Sequence, residues 1–404
     1  MATRVLSTQN MLERGGRLVA SAAILLLFGA CAAVHRPPAT LPSLERDGVA
    51  LRLLEEQIGD TIVYRLARRA LARGDRTVDV LLLSGGGQNG AYGVGFLRGW
   101  KSRAESAMPR FDLVTGISTG ALQSPFALLG TDAALDTVAA LYRRSADRIA
   151  PTLDWLFWLR RTGGVVKTDR FRASIASVMD TTMRRQLQSA FDEGRQLFIG
   201  TSDYDLGIGR NWDLSYELRD SVAGLARTRQ LLLAASSIPG IFPPQVIDGH
   251  VHADGGVVSN VLPALDLAQY EQLAARLKSL GFREPVTIRL WVVMNTWTYA
   301  TPVVMNPASR KQMNARTQTL LFWVQQSQIL QRLTELARAV DRGVSGLRLE
   351  LRFTSVPQSV SVEPGADKLF ESAFMARLEQ VGYERARSAT PWDSVATSPY
   401  VRPK

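Results

Sequence analysis

Apolar and polar residues follow two recurring patterns along the chain. Short, mainly apolar runs occupy residues 78–84, 111–115, 195–201 and 288–294, and the first two end at glycines. Runs of this length and composition are typical of buried parallel strands. Segments with apolar residues at helical spacing follow the first two runs. Strand, turn and helix in series predict an α/β fold with a central, mostly parallel sheet.

Helical spacing of apolar residues covers much of the remaining chain. The predicted helices span residues 45–75, 91–103, 121–129, 310–341 and 366–387, and a further strand is expected at 347–354. Beyond the N-terminal region no window has 18 uncharged apolar residues, so no later segment is expected to span a membrane.

The N-terminal residues have the pattern of a secretory signal. Three arginines precede eleven uncharged residues at 18–28, which is a basic start followed by a short apolar core. Gly29-Ala30-Cys31 resembles the lipobox of bacterial lipoproteins and implies that Cys31 becomes a diacylated N-terminus, although Phe28 stands where Leu or Val is usual. Because an apolar core of this kind could also remain as an anchor, a plain anchor or ordinary signal is the alternative.

Composition excludes several classes of protein. With 46% hydrophobic and 21% charged residues, the chain has the composition of a globular protein rather than a disordered one. One cysteine cannot form an internal disulfide or a thiolate cluster, and three histidines leave little room for a multi-histidine metal centre. We therefore expect no metal and no other cofactor.

The chain is basic, with 48 Lys and Arg against 37 Asp and Glu and a formal net charge of +11. Removal of residues 1–30 takes away three Arg and one Glu and leaves +9. Binding of nucleic acid would need basic residues on one face or in a run, but the basic clusters are short and lie among apolar residues. We expect dispersed surface arginine and no nucleic-acid partner, with affinity for anionic lipid as the alternative.

Gly116-Ile117-Ser118-Thr119-Gly120 fits the pattern G-x-S-x-G of a nucleophile elbow. A serine on a sharp turn from strand to helix needs small neighbours, because larger side chains would collide with both elements. A predicted strand precedes Ser118 and a predicted helix follows it. The start of that helix also offers free N–H groups to an oxyanion. Ser118 is thus a candidate nucleophile.

A second motif, Gly85-Gly86-Gly87, directly follows the first predicted strand. Consecutive glycines allow backbone amides to face a ligand, which suits a phosphate cradle or an oxyanion hole. The motif lacks the lysine and hydroxyl residue that end a P-loop, and no acidic residue follows at dinucleotide spacing on a clear second strand. Together with the serine elbow it favours an oxyanion hole, and a tight turn without a catalytic task is the alternative.

A third motif places Asp254 before Gly255-Gly256, on a turn with open access. Three interpretations compete here. His250 or His252 could complete a Ser-His-Asp triad, or Asp254 could act on Ser118 directly. The alternating Asp248, His250, His252 and Asp254 could instead share a strand face and bind a metal, but the shortage of histidine argues against that.

The three motifs, in this order, resemble those of the patatin-like phospholipases. The stretches 235–244 and 257–260 fit the resemblance as well, and the matching region runs from about residue 78 to 264. The resemblance implies a three-layer α/β/α fold and a serine–aspartate dyad, with Ser118 as nucleophile and Asp254 as base. It makes Gly85, Gly86 and Gly87 the oxyanion hole and the two neighbouring histidines bystanders. Members of the family usually carry Arg or Lys where this chain has Asn89.

The expected organisation follows from these observations. It comprises a lipoprotein signal peptide at 1–30, a tether at 31–44, an N-terminal helical segment at 45–77, a patatin-like acyl hydrolase domain at 78–295 and a C-terminal extension at 296–404 that packs on the domain. Lipid attachment at Cys31 would place the protein in the bacterial cell envelope, at the outer membrane, with the mature domain periplasmic or exposed.

The expected function is hydrolysis of ester bonds in phospholipids or related lipids. Aromatic residues at 155–158 are a candidate contact with the lipid interface, with core packing as the alternative. Two other functions remain open. One is a non-catalytic surface lipoprotein with the same fold, and the other is an esterase for soluble esters with a Ser-His-Asp arrangement.

Overall fold

The computed structural model describes residues 36–105, 107–144, 154, 162–219 and 221–393. Within these residues the strands form one eight-stranded sheet. The strands are β1 (Thr77–Leu83), β2 (Leu113–Ile117), β3 (Gln196–Asp203), β4 (Ile208–Asp213), β5 (Gln245–Ile247), β6 (His250–Asp254), β7 (Val286–Met294) and β8 (Leu347–Ser355).

Helices flank this sheet on both sides. They are α1 (Leu41–Arg73), α2 (Gly90–Lys101), α3 (Thr119–Leu129), α4 (Asp132–Arg143), α5 (Asp169–Val178), α6 (Thr181–Asp192), α7 (Leu214–Glu217), α8 (Ser221–Ala235), α9 (Leu267–Ser279), α10 (Arg310–Gly343) and α11 (Ser372–Arg387). Short 3₁₀ turns lie at Gly87–Asn89, Gly255–Val257 and Gln358–Val362.

The centre of the sheet is parallel, as predicted. Strand β1 pairs in parallel with β2 and β7, and the parallel order continues through β2 to β3 and through β7 to β8. Strands β4 and β6 pair with β3 in antiparallel orientation, and β5 pairs with β6 in the same way. The antiparallel strands therefore lie together at the β3 end of the sheet.

Apolar side chains of the central strands point to two separate cores. In β1, Leu81 and Leu83 join the core formed with α2–α6, α8 and α11, whereas Val80 and Leu82 join the core formed with α1, α9 and α10. Successive strand residues point to opposite faces. A sheet covered by helices on both faces therefore explains why its strands are continuously apolar rather than alternating.

Buried carboxylates attach α1 to the sheet. Asp79 and Asp112 are fully buried. Arg73 contacts both, at 2.9 Å and 2.7 Å, while Arg69 contacts Asp112 at 2.9 Å and Arg289 contacts Asp79 at 2.7 Å. Part of the arginine content thus neutralises buried acids instead of forming a basic surface.

Two predicted boundaries are wrong. Helix α1 begins at Leu41, inside the segment expected to be a tether, because Thr40 accepts a hydrogen bond from the Ser43 amide and a proline is tolerated in the first turn. Arg36 also forms an ion pair with Asp205 at 2.6 Å. The chain is therefore attached to the domain from Arg36 onwards.

The second correction concerns the helix expected from residue 366. Helix α11 begins at Ser372, where the Glu371 side chain accepts a hydrogen bond from the Phe374 amide and caps the helix. Gly365 and Phe370 have φ angles of +92° and +57°. Such angles end regular helix and hold residues 365–371 in a turn.

None of the helices in the described ranges combines the length and the apolar character that a membrane span requires.

Candidate active site

Ser118 lies on the sharp turn between β2 and α3. Its backbone has φ 52° and ψ −122°, a strained conformation for a residue with a side chain. A Cβ atom on Gly116 would collide with the carbonyl oxygen of Gly120, and one on Gly120 would collide with that of Leu83. The two glycines of the motif are therefore sterically required, as the elbow pattern predicts.

Strand β3 brings Ser118 and Asp254 together. Strand β2 runs parallel to β3 and ends with Ile117 opposite Gly200, whereas β6 runs antiparallel and ends with Asp254 opposite Thr201. The C-terminal ends of β2 and β6 therefore approach each other, opposite the consecutive residues Gly200 and Thr201 of β3. Across this junction Ser118 Oγ donates a hydrogen bond of 2.6 Å to Asp254 Oδ2.

Burial makes Asp254 a stronger base than an ordinary carboxylate. Asp254 and Ser118 are each only 5% exposed. Loss of water raises the pKa of Asp254 to about 6, although hydrogen bonds from Ser118 and from the Gly256 amide at 2.8 Å act in the opposite direction. The carboxylate is thereby partly desolvated, ionised at neutral pH and in contact with the serine hydroxyl.

Neither neighbouring histidine contacts this pair. His252 is fully buried, with Nδ1 3.0 Å from Thr201 Oγ1. Its burial lowers its pKa to about 4, so the ring is neutral. His250 Nδ1 lies 2.8 Å from Asp203 Oδ2 instead. In the described part of the chain, the hydrogen-bond partner of the Ser118 hydroxyl is thus a carboxylate and not an imidazole.

The alternating metal site considered from the sequence does not form. Asp248 has φ 52° in the turn before β6 and pairs with Arg227 at 2.6 Å. Asp254 faces Ser118 at the other end of β6. Asp248 therefore lies outside β6, and the Asp254 carboxylate, although it alternates with His250 and His252, is bonded to Ser118 Oγ and the Gly256 amide.

The glycine-rich loop lies beside Ser118. A Cβ atom on Gly85 would lie 3.1 Å from Ser118 Cβ. The backbone amide of Gly85 donates to the carbonyl oxygen of Asn260 at 3.1 Å. The expectation that Gly85 supplies an oxyanion donor is thus wrong, because its N–H is already bonded. The amides of Gly86 and Gly87 donate to no other residue that the structure describes, and Gly87 has φ 56°.

The sequence of the region carries a family signature. Residues 81–268 match the family model described as patatin-like phospholipase. The chain contains a patatin-like phospholipase domain. No curated protein matches the chain. The match confirms the resemblance inferred from the three motifs, and the mixed α/β architecture with helices around a mostly parallel sheet is consistent with the patatin fold.

Two cavities of the patatin-like domain meet at Ser118. An open cleft of about 440 Å³ is lined by Ser118, Asp254, Gly86 and Gly87. A narrow inner cavity of about 40 Å³ extends from Ser118 into the core and is lined mainly by the apolar side chains of Leu122, Phe171, Ile238, Phe242, Phe370 and Met375. A separate groove of about 520 Å³ between α1 and α10 does not include Ser118.

The C-terminal extension supplies part of the site although it lies outside the residues matched by the patatin family model. Gln88 Nε2 donates to the carbonyl oxygens of Gly365 at 3.0 Å and Lys368 at 2.7 Å, and Gln88 Oε1 accepts from the Glu371 amide at 2.9 Å. The glycine-rich loop is therefore fastened to the turn at 365–371.

Sequence reasoning did not identify Gln88 or the C-terminal turn as parts of the site. Gln88 follows the glycines, but its partners lie about 280 residues away, and no local pattern reveals such a contact. Asn260 did lie in a stretch that fits the family, and its amide bonds to Gln326 at 2.6 Å. Cys31 and the aromatic residues at 155–158 lie outside the described residues.

Proposed function

We propose that the protein is a serine acyl hydrolase that cleaves ester bonds in phospholipids or related lipids. The patatin-like domain supports a lipid acyl hydrolase in general. The observation that carries the finer proposal is the direct hydrogen bond of 2.6 Å from Ser118 Oγ to Asp254 Oδ2. We propose that these two residues act as a catalytic dyad.

In the first step, Asp254 accepts the hydroxyl proton as Ser118 Oγ attacks the ester carbonyl carbon. Collapse of the tetrahedral intermediate releases the alcohol part, which takes the proton, and leaves the acyl group on Ser118. Water, deprotonated by Asp254, then hydrolyses the acyl-enzyme. A pKa of about 6 lets Asp254 be ionised at neutral pH and still be more basic than an exposed carboxylate.

The unbonded amides of Gly86 and Gly87 are the proposed oxyanion donors. Their N–H groups belong to the loop next to Ser118 and line the same cleft. A donor of this kind typically stabilises the transition state by about 3–4 kcal/mol. Gly85 has a different proposed task, since its lack of a side chain gives Ser118 space and its amide fixes the loop to Asn260.

The two cavities suit the two parts of a lipid ester. The inner cavity has an apolar lining and, at about 40 Å³, room for the first carbons of an acyl group. The open cleft contains Lys368 and Asn89, so a polar alcohol part can lie there. We place the acyl group in the inner cavity and the leaving group in the cleft.

The cellular location is a proposal based on the sequence. Diacylation of Cys31 would attach the protein to a membrane of the bacterial envelope. Since the chain contacts the domain from Arg36 onwards, the anchor would be separated from the domain by only a few residues.

Hydrolysis of a soluble ester and of phospholipid vesicles by the full chain tests the catalytic proposal. We expect Ser118→Ala and Asp254→Asn each to lower kcat/KM on both substrates by about a thousandfold or more. His250→Asn and His252→Asn serve as matched controls, because both histidines are buried near the pair without contacting it. The thermal unfolding midpoint of each variant shows whether it is folded.

Three results would contradict the proposal. An inactive parent chain would favour the non-catalytic lipoprotein. Loss of activity in folded His252→Asn, together with an active Asp254→Asn, would favour the Ser-His-Asp alternative. Hydrolysis of soluble esters without any hydrolysis of lipid would place the substrate outside the lipids.

A further inference from the structure

The N-terminal half of α10 lies at the surface of the molecule. None of residues 310–325 is buried, whereas the half that follows packs against the sheet through Ile329, Leu330 and Leu333. The exposed N-terminal half nevertheless contains large apolar residues. Leu321 is 68% exposed, and Met313, Leu320 and Val324 are also exposed.

The spacing of these four residues places them on one face of α10. Residues three, four, seven, eight or eleven positions apart lie on the same side of a helix. Leu320, Leu321 and Val324 follow Met313 at such intervals, on the side opposite to Leu330 and Leu333. An isolated exposed apolar residue needs no explanation, but a continuous stripe of them indicates a contact surface.

This stripe reaches the mouth of the cleft that contains Ser118. Gln325 lies one turn after Leu321 and donates to the Val258 carbonyl at 3.2 Å. Val258 and Val257 are both exposed, and Val257 lines the cleft. Val257, Val258, Met313, Leu320, Leu321 and Val324 together form what we call the apolar rim.

The charge on the exposed half of α10 has one sign. Residues 310–325 contain three basic residues (Arg310, Lys311 and Arg316) and no Asp or Glu. Helix α1 also exposes leucines, but its residues 41–60 contain five acidic residues (Glu45, Asp47, Glu55, Glu56 and Asp60) and only two arginines. Of these two exposed apolar surfaces, only the one on α10 is positively charged.

We propose that the apolar rim docks on an anionic lipid bilayer, with the mouth of the cleft facing the membrane. Helices with large apolar residues on one side and Lys or Arg around them lie in the interface of membranes that contain anionic lipid. Each basic residue near such a surface adds attraction. The docking itself is independent of the catalytic proposal, whereas its role in supplying lipid to Ser118 rests on that proposal.

A fluorescent label on the rim tests the docking in the full chain. Because Cys31 is the only cysteine, Cys31→Ser combined with Leu321→Cys carries one polarity-sensitive fluorophore. We expect a blue shift on addition of phosphatidylglycerol vesicles and a weaker response to phosphatidylcholine vesicles. Leu53→Cys on α1 is the matched control, since Leu53 is 51% exposed on the acidic surface, and its label should not respond.

Removal of charge tests the electrostatic part. Arg310→Gln and Lys311→Gln should each weaken binding to phosphatidylglycerol vesicles roughly fivefold. Lys278→Gln is the control, because Lys278 lies beside Gly343 at the other end of α10. Binding of Ser118→Ala should equal that of the parent, so a failure of docking is distinguishable from a failure of catalysis.

Three results would overturn the docking proposal. Equal blue shifts at positions 321 and 53 would indicate nonspecific adsorption. No shift at position 321 with any vesicle would exclude contact with the bilayer. A shift at position 321 that depends on protein concentration and occurs without vesicles would assign the rim to contact between two copies of the chain.

Discussion

At the scale of single residues, the carboxyl group of Asp254 combines burial with contact to Ser118. Burial alone raises its pKa, and the hydrogen bonds from Ser118 and Gly256 only partly compensate. A carboxylate held in this way has lost much of its hydration. It is thus able to take a proton from a hydroxyl group without help from a histidine.

The pH dependence of activity follows from this pKa. As the proposed base, Asp254 would have to be ionised to accept the proton, so kcat/KM should rise as the pH increases through about 6 and reach a plateau above it. A pH profile measured with a soluble ester, whose own ionisation does not change in this range, checks the expectation. A profile that is flat between pH 5 and pH 8 would contradict the role of Asp254 as the base.

The same group makes stability depend on pH. The pKa is about 6 in the folded chain and 3.8 for an ordinary aspartate. The folded state thus binds more protons between these values, and stability falls as the pH rises from about 4 to 6. Asp254→Asn removes the free-energy cost of ionising a buried carboxyl group. It should therefore stabilise the inactive protein by up to about 3 kcal/mol above pH 6. Unfolding by denaturant at pH 8 and pH 4 should show a gain only at pH 8.

At the scale of secondary-structure elements, the site depends on how three strands meet. The elbow between β2 and α3 was predictable, because G-x-S-x-G after an apolar run has one steric explanation. The convergence of β2 and β6 on β3 was not. Strand β6 is short, antiparallel and separated from β2 by more than 130 residues, so no local pattern shows that its last residue lies opposite Thr201.

The turn at 365–371 is the element that local patterns predicted incorrectly. Its residues have helical composition, but the backbone is fixed by contacts with Gln88 from a distant part of the chain. Tertiary contacts of this kind override local preference. The contacts with Gln88 therefore explain why the predicted helix began too early. They also explain why this part of the candidate active site was not predicted.

Gln88 is a positioning residue in this account. Its amide group fastens the loop of Gly86 and Gly87 to the C-terminal turn. Gln88→Ala should lower kcat about tenfold with little change in KM, because displaced donors stabilise the transition state less. Steady-state kinetics with a soluble ester measure kcat and KM separately and so check this expectation.

Gln358→Ala is the control for Gln88→Ala. Gln358 belongs to the same C-terminal extension and bonds to Thr301 and Ser361, away from Ser118. We expect it to leave kcat unchanged. Equal losses of kcat in both variants, in proportion to their losses of stability, would mean that Gln88 only supports folding.

At the scale of the whole molecule, the excess basic residues lie in two kinds of location. Some arginines pair with buried carboxylates that attach α1 to the sheet, whereas the sequence had predicted arginine dispersed over the surface. Others lie in the exposed segment 310–325, which contains no acidic residue. Total charge could not distinguish these roles, since they depend on which side chains the fold brings together.

The fold class and the family region were predicted from the sequence. The core α/β fold and the family followed from apolar runs and three motifs, because both signals are local. The contacts between the residues matched by the family model and the C-terminal extension could not be predicted from the sequence. This extension had been expected to pack on the domain, but it also lines the cleft and fixes the glycine-rich loop.

Ser118, activated by Asp254, is the proposed nucleophile. The most direct test is to treat the folded full chain with a fluorophosphonate and to locate the covalent adduct by mass spectrometry of its peptides. We expect one adduct on Ser118, no adduct in Ser118→Ala and greatly slowed formation in Asp254→Asn. An adduct on another residue, or unchanged labelling of Asp254→Asn, would contradict it.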